Sequence, residues 1–240
     1  VTRPWLTPRT ALAAAVLLVG AVLGALATSG EAPASTTAAA GSASAPSAFT
    51  SMTVVGDSIT ALYNDRPGDE RQGWWSIVGR ALGVPVERYA QPGSGYLREG
   101  DRCRGVRFSA HTGALASAPS LLVLEGGRND WSFCRDGVVV PAPDAMVDEA
   151  VDAYMDTVQE TVPASTRVVV LGPPWGPVAH RHAERVTGIV RSQAQAHGFE
   201  FVDMAGVLDA SSVYDGIHPD RDGSRAIARR VLAALEGAQA

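Results

Sequence analysis

The chain alternates between two hydrophobic periods. Short continuous apolar runs, "SMTVVG" (51–56), "SLLVLEGG" (120–127) and "TRVVVLG" (166–172), are bounded by polar residues, Pro or Gly. This is the pattern of strands buried on both faces of a parallel sheet. "VERYA" (86–90) and "FEFVDM" (199–204) read as two shorter strands. Between them lie stretches with apolar residues at helical spacing: "GWWSIVGRAL" (73–82), "DAMVDEAVDAYMDTVQETV" (144–162), "HAERVTGIVRSQAQAHG" (182–198) and "DGSRAIARRVLAALEG" (222–237). Gly198 is placed to end the third of these as a C-cap. Strand–helix alternation of this kind predicts an α/β domain, a five-stranded parallel sheet with helices on both faces. In such sheets ligands gather beyond the carboxyl ends of the strands.

The first 48 residues follow neither period. Arg3 and Arg9 precede an uncharged apolar run at 11–27 that exits through small residues at Ala25 and Ala27. That is the layout of a secretory signal peptide or, if retained, of a membrane anchor. Either places the remainder outside the cytoplasm, because the arginines stay inside. Residues 28–48 are almost wholly Ala, Ser, Thr, Gly and Pro, a composition that cannot bury enough apolar surface to fold. They read as a linker, and the folded domain is expected over 49–240.

Composition narrows the chemistry. All 20 basic residues are arginines, so mechanisms that need a phosphate-binding or Schiff-base lysine are excluded. The net charge of −5 and the lack of a basic stripe argue against nucleic acid as a partner. Hydrophobic content of 46% supports a sizeable core, and monomer is the default expectation. Two cysteines, Cys103 and Cys134, in an exported chain favour a disulfide. It closes a loop of about 30 residues and contributes about 3–4 kcal/mol in the chain-entropy treatment.

The residues able to do chemistry fall after the predicted strands. Ser58 follows the first strand and is the nucleophile expected there. His218, just before the last helix, is its general base, and Asp215 three residues earlier orients the imidazole. A developing oxyanion needs donors, and the backbone N–H groups of Ser58 and Gly95 and the Asn129 side-chain amide are available.

These residues sit in four blocks, "GDSIT" (56–60), "GSGY" (93–96), "GRND" (127–130) and "DGIH" (215–218). In type and order they resemble the blocks of the SGNH (GDSL-type) hydrolases. The resemblance implies a flavodoxin-like three-layer α/β/α sandwich and ester hydrolysis without a cofactor. It gives Ser58, Gly95, Asn129 and His218 the four eponymous roles, with Asp215 completing the triad and Gly93 the rival position for the second block. Ile59 replaces the common Leu. The serine is not in G-x-S-x-G, so the α/β-hydrolase elbow is not indicated.

Around this set, Asp57 and Asp130 read as structural, Asp130 orienting the Asn129 loop. Trp131, Trp175 and Arg128 are the expected substrate-pocket residues, and at least one of Trp74 and Trp75 belongs to the core. Arg98, Arg102, Arg104 and Arg107, interspersed with Glu99 and Asp101, read as a solvated loop. His180 and His182 would point apart if they lay on one helix, and no metal-ligand cluster is apparent. The expected function is an exported serine esterase acting on a small-molecule or polymer ester. The alternatives are an acyltransferase or thioesterase using the same site, or a non-catalytic cell-surface binding module on the same fold.

Overall fold

A computed structural model of the chain describes residues 49–62, 69–178 and 180–237. The expected signal or anchor and the linker therefore lie outside the described residues. Among the described residues no helix is long and apolar enough to cross a membrane.

Five parallel strands form the central sheet: β1 (Met52–Gly56), β2 (Val86–Ala90), β3 (Leu121–Glu125), β6 (Arg167–Leu171) and β7 (Glu200–Val202). Their order is β2-β1-β3-β6-β7, the doubly wound flavodoxin-like arrangement expected from the motifs. Side chains alternate across the sheet. Val55, Leu122, Leu124 and Val170 face α4 (Asp144–Thr161) and α5 (Ala183–Ala196) and pack with Val151, Met155, Val186 and Val190. Met52, Val54, Leu121, Val123 and Val169 face α2 (Trp74–Leu82) and α6 (Arg221–Gly237) and pack with Trp74, Val78, Ile227 and Val231. Apart from Glu125 at the end of β3, strands β1 and β3 carry apolar or small residues on both faces because both faces are covered.

The directions of the helices matter for the site. Arg167, at the start of β6, donates to the carbonyls of Ala234 and Leu235 at 3.3 and 3.1 Å. The C-terminal end of α6 therefore lies at the amino edge of the sheet. Its N-terminal end, with the segment 215–220 leading into it, lies at the carboxyl edge, where β1 ends at Gly56 and Ser58 follows.

Two short helices and a hairpin add to the elements expected from the sequence. α1 (Ser58–Ala61) is a single turn after β1, and α3 (Thr112–Ala116) precedes β3. β4 (Ser132–Arg135) and β5 (Val138–Pro141) pair antiparallel around Asp136 and Gly137, both at positive φ (53° and 77°). Asp-Gly is the sequence signature of such a two-residue turn, so this hairpin had a readable signal. It carries Cys134, which is bonded to Cys103 in the loop after β2, as expected from the cysteine count. The bridge ties the second-block loop to the segment that follows the third block.

Candidate active site

Strand β1 delivers its last residue, Gly56, opposite Ala90 on one side and Glu125 on the other. A Cβ on Gly56 would meet Thr60 and Glu125 side-chain atoms at 2.4–3.0 Å, so only glycine lets the chain turn here. Asp57 caps the following turn, its Oδ1 accepting from Ile59 N at 2.8 Å. Capping thus falls to Asp57, and the hydroxyl of Ser58, a residue only 7% exposed, makes no hydrogen bond with any described residue. Its backbone N–H is likewise unspent.

The segment before α6 forms a tight loop. Asp215 Oδ1 accepts from the backbone N–H groups of Ile217 and His218 at 3.0 and 2.7 Å, and Oδ2 lies 2.6 Å from His218 Nδ1. Burial raises the Asp215 pKa, but these backbone bonds and the imidazole outweigh it and leave the carboxyl below its ordinary value. With Nδ1 committed to Asp215, Nε2 is the nitrogen left for the crevice. Gly176, in the loop after β6, touches this segment so closely that a Cβ would lie 2.6 Å from Gly216 O. Ser58 and His218 share the carboxyl edge and are not hydrogen-bonded to each other.

Asn129 joins three of the four blocks. Its Nδ2 donates to Asp57 Oδ2 at 3.1 Å and to Ser94 O at 2.9 Å, so both of its N–H groups are engaged. The second block departs from the expectation. Gly95 N–H donates to Arg98 O at 3.1 Å and is not free for an oxyanion. Glycine is required at 95 for another reason: a Cβ would fall 2.3 Å from Asp130 Oδ1. Gly93, the rival position, has φ +73° and a backbone N–H with no partner among the described residues.

Three buried carboxyls support this edge. Asp130 accepts from the backbone N–H groups of Tyr96, Leu97 and Arg98 at 3.1, 2.8 and 2.9 Å, pinning the second-block loop to the third. Burial raises its pKa, opposed by those bonds and by the Arg98 guanidinium. Glu125 accepts from Thr60 Oγ1 at 2.8 Å and lies against Asp57. Burial first, then the Asp57 charge, push Glu125 well up, and burial lifts Asp57 to about 7. The two raised carboxyls adjoin at the end of the first and third strands. Glu125 went unnoticed in the sequence because a carboxylate at a strand end looks solvated until its neighbours are known. Trp74 and Trp75 are both buried, and their indole N–H groups donate to Thr60 Oγ1 and Thr60 O at 3.2 Å. They brace α1 rather than line a cleft.

Of the expected pocket residues, Trp131, Trp175 and Arg128 meet along one wall. The Arg128 guanidinium lies 5.0 Å over the Trp175 ring, Trp175 stacks on His180 at 6.0 Å, and Trp131 lies 5.0 Å from His180. His180 and His182 come together at 5.3 Å between ring centroids, because this segment precedes α5 instead of belonging to it. A hollow of about 640 Å³ lies beside Trp175 and Gly176, lined also by Thr187, Arg191 and Leu208. Arg98 is buried rather than solvated, donating to Gly100 O and Ser132 Oγ. At the amino edge, Asp152, Asp156 and His197 form a metal-type cluster that sequence spacing did not show, assembled from α4 and the end of α5.

Residues 54–226 match the GDSL-like lipase/acylhydrolase family. Solved structures of similar fold include three esterases. A family two carbohydrate esterase from Clostridium thermocellum, in complex with cellohexaose, is 18% identical with a TM-score of 0.60; the match covers 79% of this chain and 64% of that one. An acetylxylan esterase from Geobacillus stearothermophilus has the same identity and TM-score, over 79% and 94% of the two chains. A carbohydrate acetylesterase from Sinorhizobium meliloti is 17% identical with a TM-score of 0.60, over 80% and 100%. Comparison with curated proteins gave no match. The family match spans most of the domain and contains all four blocks in order. The chain belongs to the GDSL-like lipase/acylhydrolase (SGNH) family, and it is a carboxylic ester hydrolase.

Proposed function

We propose that the protein is an exported serine esterase that removes acetyl groups from carbohydrate esters, with Ser58, His218 and Asp215 as its triad. Ser58 Oγ attacks the ester carbonyl while His218 Nε2 takes the hydroxyl proton. Asp215 holds Nδ1–H and stabilises the imidazolium. The tetrahedral oxyanion is met by the Ser58 and Gly93 backbone N–H groups, with Asn129 sharing one of its amide hydrogens. Collapse expels the alcohol, which receives the proton from His218. Water, deprotonated by the same imidazole, then hydrolyses the acyl-enzyme. The Ser58–His218 contact has to tighten when an ester enters, as is common in catalytic sites without substrate.

The observation that carries this reading is an uncapped, unbonded serine hydroxyl at the carboxyl edge that also holds a preformed Asp215–His218 pair. Similar folds are found in esterases that act on acetylated carbohydrate. The half-buried tryptophans of the wall suit a sugar face. Export is supported by the apolar N-terminal run after two arginines and by the disulfide, a bond of oxidising compartments. The test is turnover of 4-nitrophenyl esters graded by acyl length, together with acetylated sugars. Acetyl esters are expected to be the best substrates, and Ser58→Ala is expected to abolish turnover without lowering the unfolding temperature. Retained activity in that variant would refute the assignment.

A further inference from the structure

Arg128 stands out among the covered arginines. Arg88, Arg98, Arg167 and Arg185 each bond a carboxylate, hydroxyl or carbonyl. Arg128, half-buried and adjacent to Asn129, makes no hydrogen bond and no ion pair with any described residue. Its Nη1 is buried without a partner. A guanidinium has five N–H donors in a planar fork, and leaving them unmade under partial burial is costly. Burial, the first cause, lowers its pKa, while the charges of Asp57, Glu125 and Asp215 act on it from a distance in the opposite sense. None of those carboxyls turns to it. Asp57 is held by Ile59 N and Asn129, Glu125 by Thr60, and Asp215 by His218.

Two imidazoles stand beside Arg128, His180 and His182, and both are held below the ordinary histidine pKa, which favours their neutral form. His180 is held below its ordinary value by burial and then by His182, Arg128 and Arg181. Arg128, Trp175, His180, Trp131 and His182 form one continuous wall of rings around a single guanidinium. The chain as a whole carries −5, so an uncommitted guanidinium here is not a by-product of a basic protein.

We propose that this wall is a subsite for an anionic group carried by the substrate near its ester bond, with the Arg128 fork on the anion and Trp131 and Trp175 against the adjoining carbon skeleton. The proposal rests on the esterase reading for what the ester is, and on the unpartnered guanidinium for the charge. A carboxylate is the simplest such anion. The source that agrees with deacetylation is the sugar, as an acetylated uronic acid; the rival source, which would replace acetyl as the acyl group, is a half-ester of a dicarboxylic acid.

Calorimetric titration of Ser58→Ala separates these without turnover. One arm compares an acetylated methyl uronoside with the matching acetylated methyl hexoside. The other compares monomethyl adipate with methyl hexanoate. One acid is expected to bind about tenfold tighter than its neutral counterpart, as a charge-assisted bidentate contact gives. Adding Arg128→Gln should bring that ratio to about one, and Arg128→Lys should keep part of it. A merely structural arginine would weaken both members of a pair equally. Equal binding in both arms, no binding of either acid, or a preference that survives Arg128→Gln would overturn the proposal. Discrimination of acids in this titration together with no ester hydrolysis by the wild-type protein would refute the catalytic reading alone.

Discussion

Asp130→Asn tests whether the second-block loop is held from the third block. In the folded chain Oδ1 accepts from Leu97 N and Arg98 N, and Oδ2 accepts from Tyr96 N. The site is fully buried, so no water can replace a lost acceptor. Asn keeps one oxygen. Its better orientation leaves that oxygen on Leu97 and Arg98 and sets the amide NH2 against Tyr96 N–H, donor facing donor. One buried N–H is then unmatched, at about 1–3 kcal/mol, and the two remaining bonds lose their ionic character. Relief of the desolvated charge returns part of this, leaving a net loss of about 2–4 kcal/mol. For a domain of this size each kcal/mol is worth about 2–4 °C, so the unfolding temperature should fall by about 5–15 °C. Activity should fall too, because the loop carries Gly93 and the Ser94 carbonyl that anchors Asn129. Differential scanning calorimetry and kcat/KM on 4-nitrophenyl acetate read the two effects. An unfolding temperature within about 2 °C of wild type, with unchanged kcat/KM, would show that the loop holds itself.

The remaining predictions concern charge, triad and staple. Asp57 has a folded pKa of about 7 against an ordinary 3.8, so the folded state binds more protons between those values. Its contribution to stability is present at low pH and is lost as pH rises through about 7. Urea unfolding at pH 5 and pH 8 should show a smaller difference between the two conditions for Asp57→Asn than for wild type; an unchanged difference would contradict the raised pKa. Asp215→Asn should keep the fold but lower kcat by about 10²–10⁴-fold by presenting the wrong imidazole tautomer, a loss visible in steady-state kinetics and absent if another carboxyl orients His218. Cys103→Ser with Cys134→Ser should cost about 3–4 kcal/mol in chemical denaturation, and a loss below 1 kcal/mol would mean that the two loops are already ordered without the bridge.

The hydrophobic pattern along the chain was enough for the five strands, the four long helices and the parallel sheet. Short apolar runs bounded by Gly or Pro, alternating with segments that carry one apolar stripe, are the mark of strands and helices in an α/β sheet. The blocks that hold the proposed triad, Ser58, Asp215 and His218, were legible for a related reason: the neighbours of each turn the backbone locally. The α4–α5 side of the wall was not, since His180 and His182 converge only because their segment stops short of the helix.

What tertiary structure alone decided is which polar group is already occupied. Gly93 and Gly95 are alike in sequence, and only the Asp130 carboxylate packed beside position 95, with the Arg98 carbonyl on its N–H, removes one of them from the crevice. The same holds for Glu125, whose pKa is raised by burial and then by the neighbouring Asp57, and for Arg128, whose missing partner is visible only when the donors to the nearby carboxylates are known. Hydrogen bonds saturate and burial is cooperative, so the fate of each donor is a property of the assembled edge and not of any stretch of chain.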